Sequence, residues 1–144
     1  MRFSFTVPGE PQGKARARTW FDPRVGKAVS KTPENTVVYE NLVKLCYQSA
    51  ARNYHFPDDT PLAISIEAHF KIPPSTSKKK RALMLEGKLL PLKAPDLDNI
   101  AKSILDGLQG VCYRNDNAVA ELTVSKYYSN VPHVEVTIGE WEAP

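Results

Sequence analysis

The chain has 144 residues, of which 42% are hydrophobic and 24% charged, the make-up of an ordinary soluble protein, and residues 1–144 are expected to form a single domain. Its two cysteines, Cys46 and Cys112, stand outside any CxxC or Cys/His cluster, which argues against zinc and points to free thiols; with no long apolar run, neither a signal peptide nor a membrane span is expected, and a cytoplasmic location is. The net charge of +3 hides an asymmetry: segments 10–31 and 71–93 together hold 13 basic and 3 acidic residues, the remainder 6 basic and 13 acidic, so two stretches are candidates for contact with a polyanion.

In chain order, residues 2–7 alternate as a strand, with Phe3, Phe5 and Val7 on one face. Residues 8–31 lack a period, carry three prolines and three glycines, and read as a long loop of the functional or mobile kind. Thr32-Pro33-Glu34 has the chemistry of a helix start, and the helix is expected to run to about residue 53 with Val38, Leu42, Leu45, Cys46 and Ser49 turned inward. Residues 62–72 alternate cleanly and predict a strand, which Pro73-Pro74 ends. Ser77 opens a short basic helix that Gly87 closes. A second amphipathic helix is predicted over about 97–109, with Leu97, Ile100, Ala101, Ile104, Leu105 and Leu108 on its apolar face and Asp98, Lys102 and Asp106 on the other. Strands over 118–126 and 132–138, joined at Asn130, are expected to form an antiparallel hairpin. The order β-α-β-α-α-β-β predicts an α+β fold, a mixed sheet covered by helices on one face.

The most informative stretch is Pro95-Asp96-Leu97-Asp98-Asn99, where a loop enters that second helix. Two readings of the acidic pair stand. As capping groups, both aspartates suit the positive end of the helix. As metal ligands, they hold a divalent hard cation through oxygen, and such a cation activates a water and stabilises charge developing on a phosphate. Lys102, one turn on from Asp98, and Asp116 beyond the helix favour the second reading, with the lysine placed to hold a scissile phosphate or leaving oxygen. Asp106 reads as the outer partner of Lys102. Among the basic residues, Lys14, Arg16 and Arg18 alternate beside Trp20 and Phe21, and Lys78, Lys79, Lys80 and Arg81 open the short helix; both groups are expected to grip phosphates, and the aromatics to stack on unpaired bases or anchor the loop. His69 is a possible auxiliary residue near the acids. There is no Ser/His/Asp or Cys/His arrangement and no glycine-rich phosphate loop.

The stretch from Pro95 to about Lys126 resembles the RusA family of Holliday-junction resolvases. The resemblance rests on Asp96-Leu97-Asp98-Asn99, Lys102, Asp106-Gly107-Leu108, and Asp116 followed by Val119. Ile66-Glu67-Ala68-His69 and the Pro8-Gly9…Gly13-Lys14-Ala15-Arg16-Ala17-Arg18 loop look like the family pattern too. The resemblance implies Asp96, Asp98 and Asp116 as ligands of Mg²⁺ or Mn²⁺, Lys102 as the catalytic lysine, and a homodimer that nicks two strands of a four-way junction symmetrically in DNA recombination and repair. Many members of the family sit in phages or prophages. Where some members have two adjacent acids near the last ligand, this chain has Asn115 then Asp116. Two other functions remain open on sequence grounds: a non-catalytic DNA-binding recombination accessory protein, and a nuclease for flaps or other branched DNA.

Overall fold

The computed structural model describes residues 1–15, 18–31 and 34–144, without the side chains of Arg18, Ser30 and Lys31. Its architecture is organised by one strand, β4 (Leu62–Lys71), whose alternation buries Leu62, Ile64, Ile66, Ala68 and Phe70 on a single face. A strand this apolar must be flanked on both edges, and β4 is: β5 (Val119–Ser129) lies parallel to it and β6 (His133–Glu140) antiparallel. Strand β1 (Arg2–Pro8) then pairs antiparallel with β6, so the sheet has the mixed order β1-β6-β4-β5. Helices α1 (Glu34–Ala51) and α3 (Leu97–Leu108) share one core with the apolar face of the sheet, and the other sheet face is left polar. The short helix α2 (Lys78–Leu85) contacts β5 near its end, capped by Ser77, whose hydroxyl accepts the Lys80 N–H. The fold is therefore the α+β arrangement with a mixed sheet that the order of elements predicted.

Four sequence expectations need correction. First, residues 18–31 are not an aperiodic loop but a separate two-stranded hairpin, β2 (Arg18–Asp22) and β3 (Lys27–Lys31). Its turn is set by local polar chemistry: the Asp22 carboxylate accepts the Arg24 N–H at 2.9 Å, and Gly26 takes a φ of +69° that favours glycine. Second, β5 and β6 do not form a hairpin, because β4 is inserted between them. Adjacency in sequence yields here to the burial of β4. Third, α1 is rotated from the expected orientation: Leu42 and Cys46 pack against the core as expected, but they flank the buried stripe. Thr36, Tyr39, Val43, Tyr47 and Ala51 are buried, whereas Val38 and Leu45 are 62% and 64% exposed. The tyrosines bring more buried area than the aliphatic stripe, and Tyr47 settles its hydroxyl by donating to the Tyr54 carbonyl at 2.6 Å. Fourth, Leu97 stays 43% exposed at the first turn of α3. The Thr32-Pro33 helix start lies outside the described residues, and the helix is assigned from Glu34.

Helices α1 and α3 approach closely at Gly107, where an added Cβ would fall 2.7 Å from both Val43 Cβ and Cγ1 and 3.2 Å from the Glu40 carbonyl oxygen. Gly107→Ala is expected to destabilise the protein by about 1–3 kcal/mol through overpacking. Urea denaturation checks this, since an unhindered helical glycine would instead gain up to about 1 kcal/mol on the same change.

Candidate active site

The two aspartates sit where α3 begins. Asp96 occupies the N-cap position, with extended backbone (φ −71°, ψ 158°), yet its side chain makes no cap hydrogen bond. Asp98 follows in the first turn, exposed, with its carboxylate in no hydrogen bond or ion pair among the described residues. Capping therefore does not account for the pair: two carboxylates stand at the positive end of a helix and neither is used by the backbone.

The N-terminal segment lies directly against this helix start. Lys14 N–H donates to the Asn99 carbonyl at 3.0 Å, and the Ser103 hydroxyl donates to the Gln12 carbonyl at 2.7 Å. Gly13 makes the approach possible, since a Cβ there would fall 2.8 Å from Pro95 Cβ and 3.1 Å from Asn99 Cβ. The Ala94–Pro95 peptide bond at this point is cis.

Beyond the helix start runs a chain of alternating charges. Lys14 Nζ lies 2.6 Å from Glu40 and 3.0 Å from Asp106; Lys102 Nζ lies 3.1 Å from the other oxygen of Asp106 and 3.7 Å from Asp116. Glu40 on α1, Lys14 on the N-terminal segment, Asp106 and Lys102 on α3, and Asp116 in a 3-10 turn (Asp116–Ala118) are thus linked into one network. Hydrogen bonding to Asp106, with the nearby carboxylate charges, raises the Lys102 pKa above the ordinary lysine value and outweighs its partial desolvation. Burial works against the Lys14 charge, but Glu40 and Asp106 outweigh it and raise that pKa as well. Both lysines are therefore cations at neutral pH, and Lys102 is suited to neutralise charge rather than to accept a proton.

The structure separates the expected site residues into groups. Asp98, Lys102 and Asp106 share the polar face of α3, and Asp116 is brought to Lys102. The carboxylate oxygens of Asp96, Asp98 and Asp116 do not all lie within 4.8 Å of one another; the group of donors that does, among the described residues, is His69, His133 and Glu135. Lys14, expected to grip phosphate, has its ammonium turned to two carboxylates, Glu40 and Asp106. His69 does not join the acids either: it lies on the polar face of β4, stacked on His133 with ring centroids 4.4 Å apart and beside Tyr127. Burial, helped by neighbouring His133, lowers the His69 pKa. Lys78, Lys79 and Lys80 are exposed on α2, while Arg81 is tethered to Asn130 at 3.0 Å. Arg16 falls outside the described residues, and only the backbone of Arg18 is described. Trp20 and Phe21 are 46% and 65% exposed on the hairpin.

Sequence reasoning missed Glu40, which lies in α1 without a local motif, and the pair Lys93 and Lys126. These two lysines converge on Phe70, at 5.7 and 5.4 Å from its ring centroid, and Lys126 Nζ donates to the Lys93 carbonyl at 2.7 Å. Alternation in 118–126 places Lys126 on the apolar side of the sheet, which was the one available sign that its position is unusual.

An α+β fold with two carboxylates at the start of one helix and a lysine on its polar face is compatible with a DNA-cutting hydrolase. Residues 8–139 match the family model described as Endodeoxyribonuclease RusA, and the chain belongs to that family of junction-resolving endonucleases. It is also 34% identical over 144 residues to the uncharacterized protein YqaN of Bacillus subtilis strain 168, covering 96% of each chain. No helix among the described residues is long and apolar enough to cross a membrane.

Replacing Lys14 by Met leaves Glu40 without its cation and Asp106 with Lys102 alone. Stability should fall by about 1–3 kcal/mol, the loss expected when a hydrogen-bonded charge goes unpaired. Affinity for DNA should change less than about twofold, because Lys14 is not counted among the phosphate contacts. Chemical denaturation and a binding titration on the same variant check the two halves.

Proposed function

We propose that this protein resolves four-way DNA junctions by metal-dependent hydrolysis of phosphodiesters, with Asp96, Asp98 and Asp116 as ligands of Mg²⁺ or Mn²⁺. The observation that supports this reading most is the pair of carboxylates at the start of α3 that no backbone group uses. The donor set fits the ion by its chemistry: all three groups offer hard oxygens, which suit Mg²⁺ and Mn²⁺ over softer metals. When bound, such a cation supplies an activated water and neutralises charge on the phosphate.

The chain's own residues have distinct tasks. Lys102, held protonated by Asp106 and 3.7 Å from Asp116, stabilises charge on the phosphate or the departing oxygen. Asp106 orients Lys102 and is itself fixed by Lys14, so neither is free to wander into the ligand set. Lys78, Lys79 and Lys80 hold the backbone of an arm of the junction without reading its sequence. The exposed Trp20 and Phe21 supply stacking surface for bases unpaired near the branch point. Action as a homodimer, one site per subunit, suits a substrate with two equivalent strands. Recombination or repair of DNA is the process such an activity serves.

Incubation of a synthetic four-way junction with Mg²⁺, beside linear duplex and flap controls, tests the proposal. Paired symmetric nicks in the junction are expected, with none in the duplex, and chelation should abolish them. Asp98→Asn should bind the junction and cut it on the order of 10²-fold more slowly or worse; undiminished cutting would remove the metal assignment. Lys102→Met should lower kcat on the order of 10²–10³-fold, as for other groups that stabilise charge in the transition state.

Binding should also weaken steeply with salt, with a log–log slope of several units if both basic stretches engage phosphates. Lys78→Ala, Lys79→Ala and Lys80→Ala combined should make that slope shallower, and an unchanged slope would take α2 out of the interface.

A further inference from the structure

The polar face of the sheet holds a second constellation, apart from the acids of α3. His69 and His133 are direct cross-strand partners on β4 and β6, and Glu67 and Glu135 are the partners two residues along. Directly opposed carboxylates on a sheet repel each other unless a cation or proton stands nearby. The donor atoms of His69, His133 and Glu135 all lie within 4.8 Å of one another.

The hydrogen bonding of His133 sharpens this. Its Nδ1 lies 2.7 Å from the Val131 carbonyl oxygen, which only accepts, so Nδ1 carries the hydrogen. Its Nε2 then points a lone pair, or a second proton, at Glu135 Oε1 3.1 Å away. Either a proton on Nε2 or a metal cation satisfies that contact, whereas a bare lone pair against the carboxylate does not. His69 Nε2 is buried without a hydrogen-bond partner and faces the other oxygen of Glu135 at 3.7 Å. A backbone carbonyl that fixes one imidazole nitrogen and presents the other is the usual support of a metal-binding histidine.

The geometry points to a divalent transition-metal site at His69, His133 and Glu135, with Glu67 beside it, that clamps β4 to β6. Two imidazoles and a carboxylate suit Zn²⁺ and its neighbours, whereas the carboxylates assigned to cleavage suit Mg²⁺. The site is distinct from the proposed catalytic one and does not depend on it.

The test uses the full-length Asp98→Asn protein, to lower competition from the α3 carboxylates, titrated with Zn²⁺ and followed by NMR of the imidazole nitrogens. Nε2 of His69 and of His133 should both shift at one equivalent of Zn²⁺, while His55, outside the cluster, should not. His133→Ala and Glu135→Gln, each in the same background with an unchanged circular dichroism spectrum, should weaken Zn²⁺ binding at least about tenfold. The unsubstituted cluster decides the matter even if His133→Ala fails to fold. Absence of the paired Nε2 shift, shifts confined to His55, or equal Zn²⁺ affinity in Glu135→Gln would each overturn the site.

Discussion

The site depends on one ammonium group. Lys14 is held by Glu40 from α1 and Asp106 from α3, and without it two carboxylates on adjacent helices would repel across a short gap. The same contact fixes Asp106, which fixes Lys102, which reaches Asp116. The polar side of α3 is thereby sorted: one aspartate is committed to ion pairs, and the two at the helix start are left uncommitted. The N-terminal segment is thus part of the site's framework as well as a carrier of basic residues, and a backbone bond to Asn99 and the Ser103 hydroxyl donating to the Gln12 carbonyl reinforce it.

The distribution of charge follows from this sorting. Lysines meant for solvent are on α2, where Lys78, Lys79 and Lys80 are exposed. Lysines meant for the protein are paired with carboxylates, as Lys14 and Lys102 are, or with carbonyls, as Lys44 is with the last carbonyls of α3 and Lys126 with Lys93. Composition counts these groups alike, but Lys14 and Lys102 have carboxylates beside them that offset part of their charge toward a polyanion. The effective positive surface is smaller than the sequence totals imply, and its orientation relative to α3 is what matters.

Much of the fold was legible because some segments offer a single solution. β4 alternates without exception, and α3 has a sharp apolar face; both formed nearly where expected. α1 was misread because it presents two stripes at helical spacing, Val38-Leu42-Leu45 and Tyr39-Val43-Tyr47, and which is buried depends on partners distant in sequence. The hairpin at 18–31 escaped notice because its strands are held by each other and by the Asp22 turn rather than by burial. The neighbours of β5 and β6 were unreadable locally, since only the need of β4 for two partners decides them. Within the site, Asp96, Asp98 and Lys102 were legible as one helical motif. The inward turn of Lys14 and the part of Glu40 were not, because a salt bridge between residues 26 positions apart leaves no periodic trace.

Gly107 lets α1 and α3 touch closely, and it lies next to Asp106 and against the carbonyl of Glu40. Packing and charge therefore meet at one crossing point. Substitutions at positions 14, 40, 43, 106 and 107 should combine non-additively, because each changes the distance over which the others act. The exposed side of α1, with Val38 and Leu45, is free of that restraint. A single helix thus divides into an epistatic half, where change is tolerated only in concert, and a half whose positions can drift one at a time.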